Sequence, residues 1–308
     1  MTITQRAVSR VSTLREARGS VPGDGIRLAW GCWPGAGPPV VGLHGVTASY
    51  VNFVGIADEL TGRRPLLAFD LRGRGDSDKP DGPYGMSQHA RDVAAAMTHF
   101  GLDASIVVGH SMGAYVAVAL AAEHPGLVRG LVLVDGGLPL PVPPGIAPEE
   151  LLETALSAQM ARLRMTFPSE AAYLDYWRSL PVFAGGRWND RVERYLRYDL
   201  GGRAPLLRPK ASAAAVRADA VDNADADRLR ARLRSLTVPV LLLRAEEGFE
   251  PGQPPLFPAE LVDRERGQLA DLTDRVVAGT THYTIALGPQ GAAVVADAVA
   301  EFAEACGR

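Results

Sequence analysis

Gly109-His110-Ser111-Met112-Gly113 sets a serine between two glycines, and its flanks give the pentapeptide a chemical meaning. Ile106-Val107-Val108 before it is apolar and β-branched, a strand pattern, and Ala114 to Ala122 after it is a run of small, helix-favouring residues. Strand, tight turn and helix in that order form a nucleophile elbow. The serine hydroxyl is pushed out at the end of the strand, and the glycines leave room where Cβ atoms would clash. Serine is a poor nucleophile at neutral pH. It needs a base to take its proton and an acid to orient that base.

The chain has six histidines as candidate bases. His282 lies late in the chain, just past a strand pattern at Thr273–Val277. His110 is inside the elbow and cannot easily turn back onto its neighbour's hydroxyl, and His89, His99 and His124 fall on or at the ends of helical patterns, where surface or capping roles are expected. Asp222, Asp225 and Asp227 are close in sequence, but no His or Cys joins them, so a solvated helix terminus is expected rather than a metal site.

The elements that must position these groups alternate. Strand patterns at Ile26–Trp33, Pro39–Leu43, Pro65–Phe69, Ser105–Val108, Gly130–Val134, Val238–Arg244 and Thr273–Val277 are interleaved with helical ones at Val51–Leu60, Ser87–Phe100, Met112–His124 and Pro289–Ala305. This is the signature of a mostly parallel sheet built from βαβ units and flanked by helices. The alternation stops after Val134. A proline-rich stretch, Leu138–Pro148, opens about 100 residues that read as helices near Glu149–Thr166, Ser169–Leu180, Asp190–Asp199 and Pro209–Leu236. The spacing therefore predicts an α/β core formed by 1–137 and 237–308 with an all-helical insertion at 138–236. Eight aromatics fall within the insertion: Phe167, Tyr173, Tyr176, Trp177, Phe183, Trp188, Tyr195 and Tyr198. At least half are expected to be the insertion's own core, the rest to roof an apolar pocket.

Four motifs in register resemble the α/β-hydrolase superfamily, specifically its capped members, over nearly the whole chain. They are Leu43-His44-Gly45-Val46 after a strand, the loop Asp70-Leu71-Arg72-Gly73-Arg74-Gly75-Asp76-Ser77, the elbow, and Thr281-His282-Tyr283 after the last strand. The resemblance implies Ser111 as nucleophile and His282 as base, with Met112 and Val46 supplying the backbone N–H groups of the oxyanion hole. It also implies a packing role for His44. Two placements are open for the acid. The usual one, after the strand before the histidine strand, holds Ala245-Glu246-Glu247-Gly248, with glycine where an aspartate is customary. The alternative is Asp135, at the end of the strand after the elbow helix, and it is favoured over Glu247 and Glu246.

The bulk properties limit the partners. A 308-residue chain that is 47% hydrophobic, with formal charge -3, gives no reason to expect nucleic acid or an anionic membrane. Met1–Arg18 lacks an apolar signal segment, no run is long enough to span a membrane, and Cys32 and Cys306 have no metal-ligand spacing. A cytoplasmic protein with reduced thiols is expected. With no Walker loop, dinucleotide fingerprint or H-E-x-x-H motif, no cofactor and no metal are implied. The function expected is hydrolysis of an ester, lactone or related acyl bond of a small, largely apolar substrate through an acyl-enzyme. The alternatives are C–C bond hydrolysis or cofactor-free perhydrolysis with the same triad, or ligand binding on the same scaffold.

Overall fold

A computed structural model describes residues 17–140 and 157–307. Eight strands form one sheet: β1 (Ala17–Pro22), β2 (Arg27–Trp33), β3 (Val40–Leu43), β4 (Leu66–Phe69), β5 (Ser105–His110), β6 (Val128–Val134), β9 (Val240–Ala245) and β10 (Leu272–Val277). Their order is β1-β2-β4-β3-β5-β6-β9-β10. β2 pairs antiparallel with β1 and β4, and every pairing from β4 to β10 is parallel. The seven predicted strands are all present. β1 went unread because its sequence, ARGSVP, is mostly exposed and shows no clean alternation, as suits an edge.

Helices cover both faces. On one lie α2 (Met86–His99), α3 (Met112–Glu123), α7 (Ala226–Ser235) and α8 (Ala259–Arg266), and on the other α1 (Val54–Leu60), the short α9 (Thr284–Leu287) and α10 (Pro289–Ala305). The central strands β3 to β6 are buried on both sides and so read as continuous apolar runs rather than alternating ones.

Between β6 and β9 the described residues carry a helical turn at 157–163, then α4 (Glu170–Arg178), α5 (Asp190–Asp199), α6 (Ala213–Asn223) and α7. The segment is not all-helical, which corrects the expectation. Leu200–Gly201 (β7) and Arg208–Pro209 (β8) form a two-stranded antiparallel ribbon, and Phe167 bridges Leu207 beside it. The ribbon strands are only two residues long, too short for periodicity to register. The helix predicted over Pro209–Leu236 is two helices, broken where Asp225 caps α7 by accepting from the Arg228 N–H. Residues 141–156, with much of the first predicted insertion helix, lie outside the described residues. Five of the eight insertion aromatics (Phe167, Tyr173, Trp177, Phe183 and Tyr195) are buried in the layer shared with α1 and α10.

Candidate active site

Parallel strands deliver their C-terminal ends to one edge of the sheet, and the loops leaving that edge hold every candidate group. Ser111 follows β5, Asp135 follows β6, His282 follows β10, and the His44-Gly45-Val46 turn follows β3. His110 and Val134 are register partners, so Ser111 and Asp135 emerge side by side.

Ser111 (φ 55°) and Asp135 (φ 47°) are the only non-glycine residues with positive φ among the described residues. Such conformations cost on the order of 1–3 kcal/mol each and persist where surrounding structure enforces them. At the elbow the enforcement is visible. A Cβ on Gly113 would lie 1.9 Å from the Leu43 carbonyl oxygen, and one on Gly109 would lie 2.4 Å from the Gly113 oxygen. β3, β5 and α3 therefore close around the turn more tightly than any side chain allows.

His282 is 5% exposed and sits against Asp135, which is 1% exposed. The His282 Nδ1–H donates to Asp135 Oδ2 at 2.6 Å, while Asp135 Oδ1 accepts from the Ala245 N–H at 3.0 Å. The ring is thus fixed with Nε2 as its remaining nitrogen. The other two candidate acids are elsewhere. Exposed Glu246 accepts from the Gly279 N–H at 2.7 Å, and Glu247 accepts from the Gly252 N–H at 3.3 Å. The imidazole reaches past β9 to the end of β6.

Behind the pair, His110 Nε2–H donates to the His282 carbonyl at 2.9 Å, and Asn52 Nδ2 donates to His110 Nδ1 at 3.2 Å. The His110 and His282 rings lie 4.8 Å apart. His110 therefore ties the elbow to the histidine loop. Burial holds it neutral, with a pKa lowered to about 3. His44 is likewise lowered to about 3 by burial; its Nε2 accepts from the Leu71 N–H at 2.9 Å and its Nδ1–H donates to the Gly45 carbonyl at 2.7 Å. Asp70 accepts from the N–H groups of Tyr50 and Asp76 and from the Tyr198 hydroxyl, and Arg72 pairs with buried Asp92 at 2.7 Å. These residues hold the loop after β4.

Sequence reasoning missed one cluster. The guanidinium of Arg74, fully buried, donates to the Val46 carbonyl at 2.9 Å, touches the Met112 sulfur at 3.8 Å and pairs with Asp219 of α6. Asp219 also accepts from the Gly85 N–H at 2.6 Å and meets His89 Nε2 at 2.9 Å. His89 is thus buried, and the expectation of a surface or capping role is corrected. Burial opposes the Asp219 charge, but Arg74 and His89 outweigh it and hold the carboxyl well below the usual range. Asp219 shares the buried side of α6 with Ala215 and Val216, but small and apolar residues are spread all round this helix, so no stripe in the sequence marks the position.

Ser111, Asp135 and His282 open onto one cavity of about 300 Å³, shared with Val46, Met112, Tyr115, Phe249, Leu256 and Phe257 from the core side and Leu140, Gln159, Tyr195, Asp219 and Asn223 from the insertion. Tyr195 alone of the eight insertion aromatics reaches it. Among the described residues no lysine or arginine lines it. Cys32 and Cys306 are both free thiols, and burial pushes Cys32 up to about 12. Among the described residues no helix is long and apolar enough to cross a membrane.

The fold and the elbow are those of a hydrolase scaffold, and comparison with known proteins agrees. Residues 38–289 match the family model for the alpha/beta hydrolase fold, and the chain belongs to that family. A 2-(acetamidomethylene)succinate hydrolase from Mesorhizobium japonicum is 30% identical over 260 residues, covering 83% of this chain and 85% of that protein. A crystal structure of E-2-(acetamidomethylene)succinate hydrolase superposes with a TM-score of 0.76 at 28% identity, covering 94% of this chain and 100% of the other. An N-formylmaleamate deformylase from Pseudomonas putida is 38% identical over 121 residues, 39% of this chain and 45% of that protein.

Proposed function

We propose that the chain is a serine hydrolase that transfers the acyl group of a small, uncharged substrate to water. The observation that carries this reading is the buried His282–Asp135 hydrogen bond of 2.6 Å, facing the same cavity as a serine held in a strained elbow. Ser111 attacks the acyl carbon and its proton passes to His282 Nε2, while Asp135 fixes the tautomer and stabilises the imidazolium. The N–H groups of Met112 and Val46 receive the developing oxyanion charge. The proton then passes to the leaving group, and water, activated by the same imidazole, releases the acyl-enzyme.

The cavity wall supports an uncharged substrate. Its named carboxylates, Asp135 and Asp219, are both engaged by partners, and among the described residues no lysine or arginine lines it to receive an anion. On that point this chain parts from its relative, whose named substrate is a succinate. The relatives' names, acetamido in one and N-formyl in the other, support an N-acyl bond as a second reading beside an ester or lactone. A fluorophosphonate probe is expected to label wild-type protein and not Ser111→Ala. Labelling retained in Ser111→Ala, or absent from wild type, refutes the assignment. Parallel turnover of matched aryl esters and aryl amides decides between the two acyl bonds.

A further inference from the structure

Two cavity-lining side chains that the proposed chemistry does not use carry orphaned polar atoms. Asn223, at the C-terminal end of α6, and Gln159, from the helical turn at 157–163, both line the cavity. Asn223 Oδ1 and Gln159 Oε1 are buried without a hydrogen-bond partner.

The orientation of the Asn223 amide follows from its neighbour. Tyr115 spends its hydroxyl proton on the Leu138 carbonyl at 2.9 Å, so towards neighbouring Asn223 its oxygen can act only as an acceptor, facing the amide nitrogen. That leaves Oδ1 as the outstanding atom. Gln159 stands beside the Tyr283 hydroxyl, and Tyr283 lines the cavity too. Each carboxamide thus lies next to a tyrosine, with its buried acceptor end left over.

A buried acceptor without a partner is destabilising, and a ligand that supplies a donor removes that penalty. Both orphans are acceptors, and Asp219, one turn before Asn223 on α6, is already taken up by Arg74 and offers no donor of its own. A carboxylate or phosphate at this wall would set acceptor against acceptor.

We propose that Asn223 and Gln159 are a recognition site for a neutral hydrogen-bond donor, an amide N–H or a hydroxyl, on the part of the substrate remote from the scissile bond. This deepens the acyl-hydrolase reading and rests on it for the position of the reacting carbon. The insertion thereby reads the substrate while the core performs the chemistry.

The test uses three p-nitrophenyl esters of equal reach: 4-acetamidobutanoate, its N-methyl analogue and the monoester of glutaric acid. Wild type is expected to prefer the N–H ester over the N-methyl ester by on the order of tenfold to a hundredfold in kcat/KM, mainly through KM, and to turn over the carboxylate poorly. In Asn223→Leu the preference should shrink severalfold. Gln159→Leu, on a different segment, gives the second measurement should the first variant fail to fold. Equal rates for the N–H and N-methyl esters, a preference untouched in both variants, or preference for the carboxylate overturns the proposal. Fluorophosphonate labelling of Ser111 reports separately on the hydrolase reading. If that reading fails, calorimetric binding of 4-acetamidobutanamide against 4-(N-methylacetamido)butanamide to Ser111→Ala still decides the recognition site: equal affinities refute it, and a stronger N–H ligand supports it.

Discussion

Replacing Asp219 with alanine would strand a guanidinium in the interior. Both side chains of the Arg74–Asp219 pair are 0% exposed, so removing one partner leaves the other charge without solvent or counter-ion. The carboxylate also serves the Gly85 N–H and His89, which lose their acceptor at the same time. Breaking a buried pair from one side costs about 3–5 kcal/mol. Asp219→Ala should lose at least that much in urea unfolding followed by circular dichroism. Replacing both charges with apolar residues of similar volume, Arg74→Met with Asp219→Leu, should recover most of the loss, because no unpaired charge then remains. The folded pKa of Asp219 is depressed, so the stability it confers is complete above the unfolded carboxyl pKa of about 3.9 and is lost only as pH falls toward the folded value. The gap between wild type and Asp219→Ala should therefore close in strong acid, below the ordinary carboxylate range. Turnover should fall as well. The same guanidinium fixes the Val46 carbonyl, and misplacing one oxyanion donor costs up to about 10²–10³ in kcat. A loss below about 1 kcal/mol, or a double variant no better than the single, would refute the reasoning.

Asp135→Asn should lower kcat by about 10⁴ and slow fluorophosphonate labelling in parallel, while Glu246→Gln and Glu247→Gln stay within a few-fold of wild type; a large loss in either glutamate variant reverses the choice of acid. Acidification should destabilise the fold. His44 and His110, lowered to about 3, each take up a proton on unfolding, whereas Asp70, raised to about 6 by burial, releases one. The net uptake of one proton gives a loss of about 1.4 kcal/mol per pH unit between roughly pH 6 and 5, and a flat urea-midpoint profile there would contradict it. Gly113→Ala should yield no soluble protein, since its Cβ would sit 1.9 Å from the Leu43 oxygen, whereas Gly126→Ala, with nothing within 4 Å, should express normally.

Much of the site was legible before any coordinates. Ser111 announces itself because the elbow is a local device: a strand, a turn and a helix adjacent in sequence. His282 follows from chain order once the family pattern is in view. The partner of His282 was not legible to the same degree. Asp135 and Glu246 both end parallel strands at the same edge, and composition cannot say which side chain turns inward. That depends on the imidazole reaching past β9, and on Asp135 being held at φ 47° with its second oxygen on the Ala245 N–H. The misreading of His89 has a related cause, because helical periodicity does not reveal that a polar residue on α2 will find a carboxylate from α6 against it.

The amino-acid order by itself determined the parallel α/β core, the interruption after Val134 and the nucleophile, because each is written in contiguous residues through strand, helix and turn propensities. The tertiary structure alone decided the carboxylate that meets His282, the Arg74–Asp219 link behind Val46 and Met112, and the acceptor-bearing wall of the cavity. Those features join residues as far apart as 74 and 219 or 115 and 223. Burial and hydrogen-bond satisfaction at such separations are properties of packed space and leave no period in the chain.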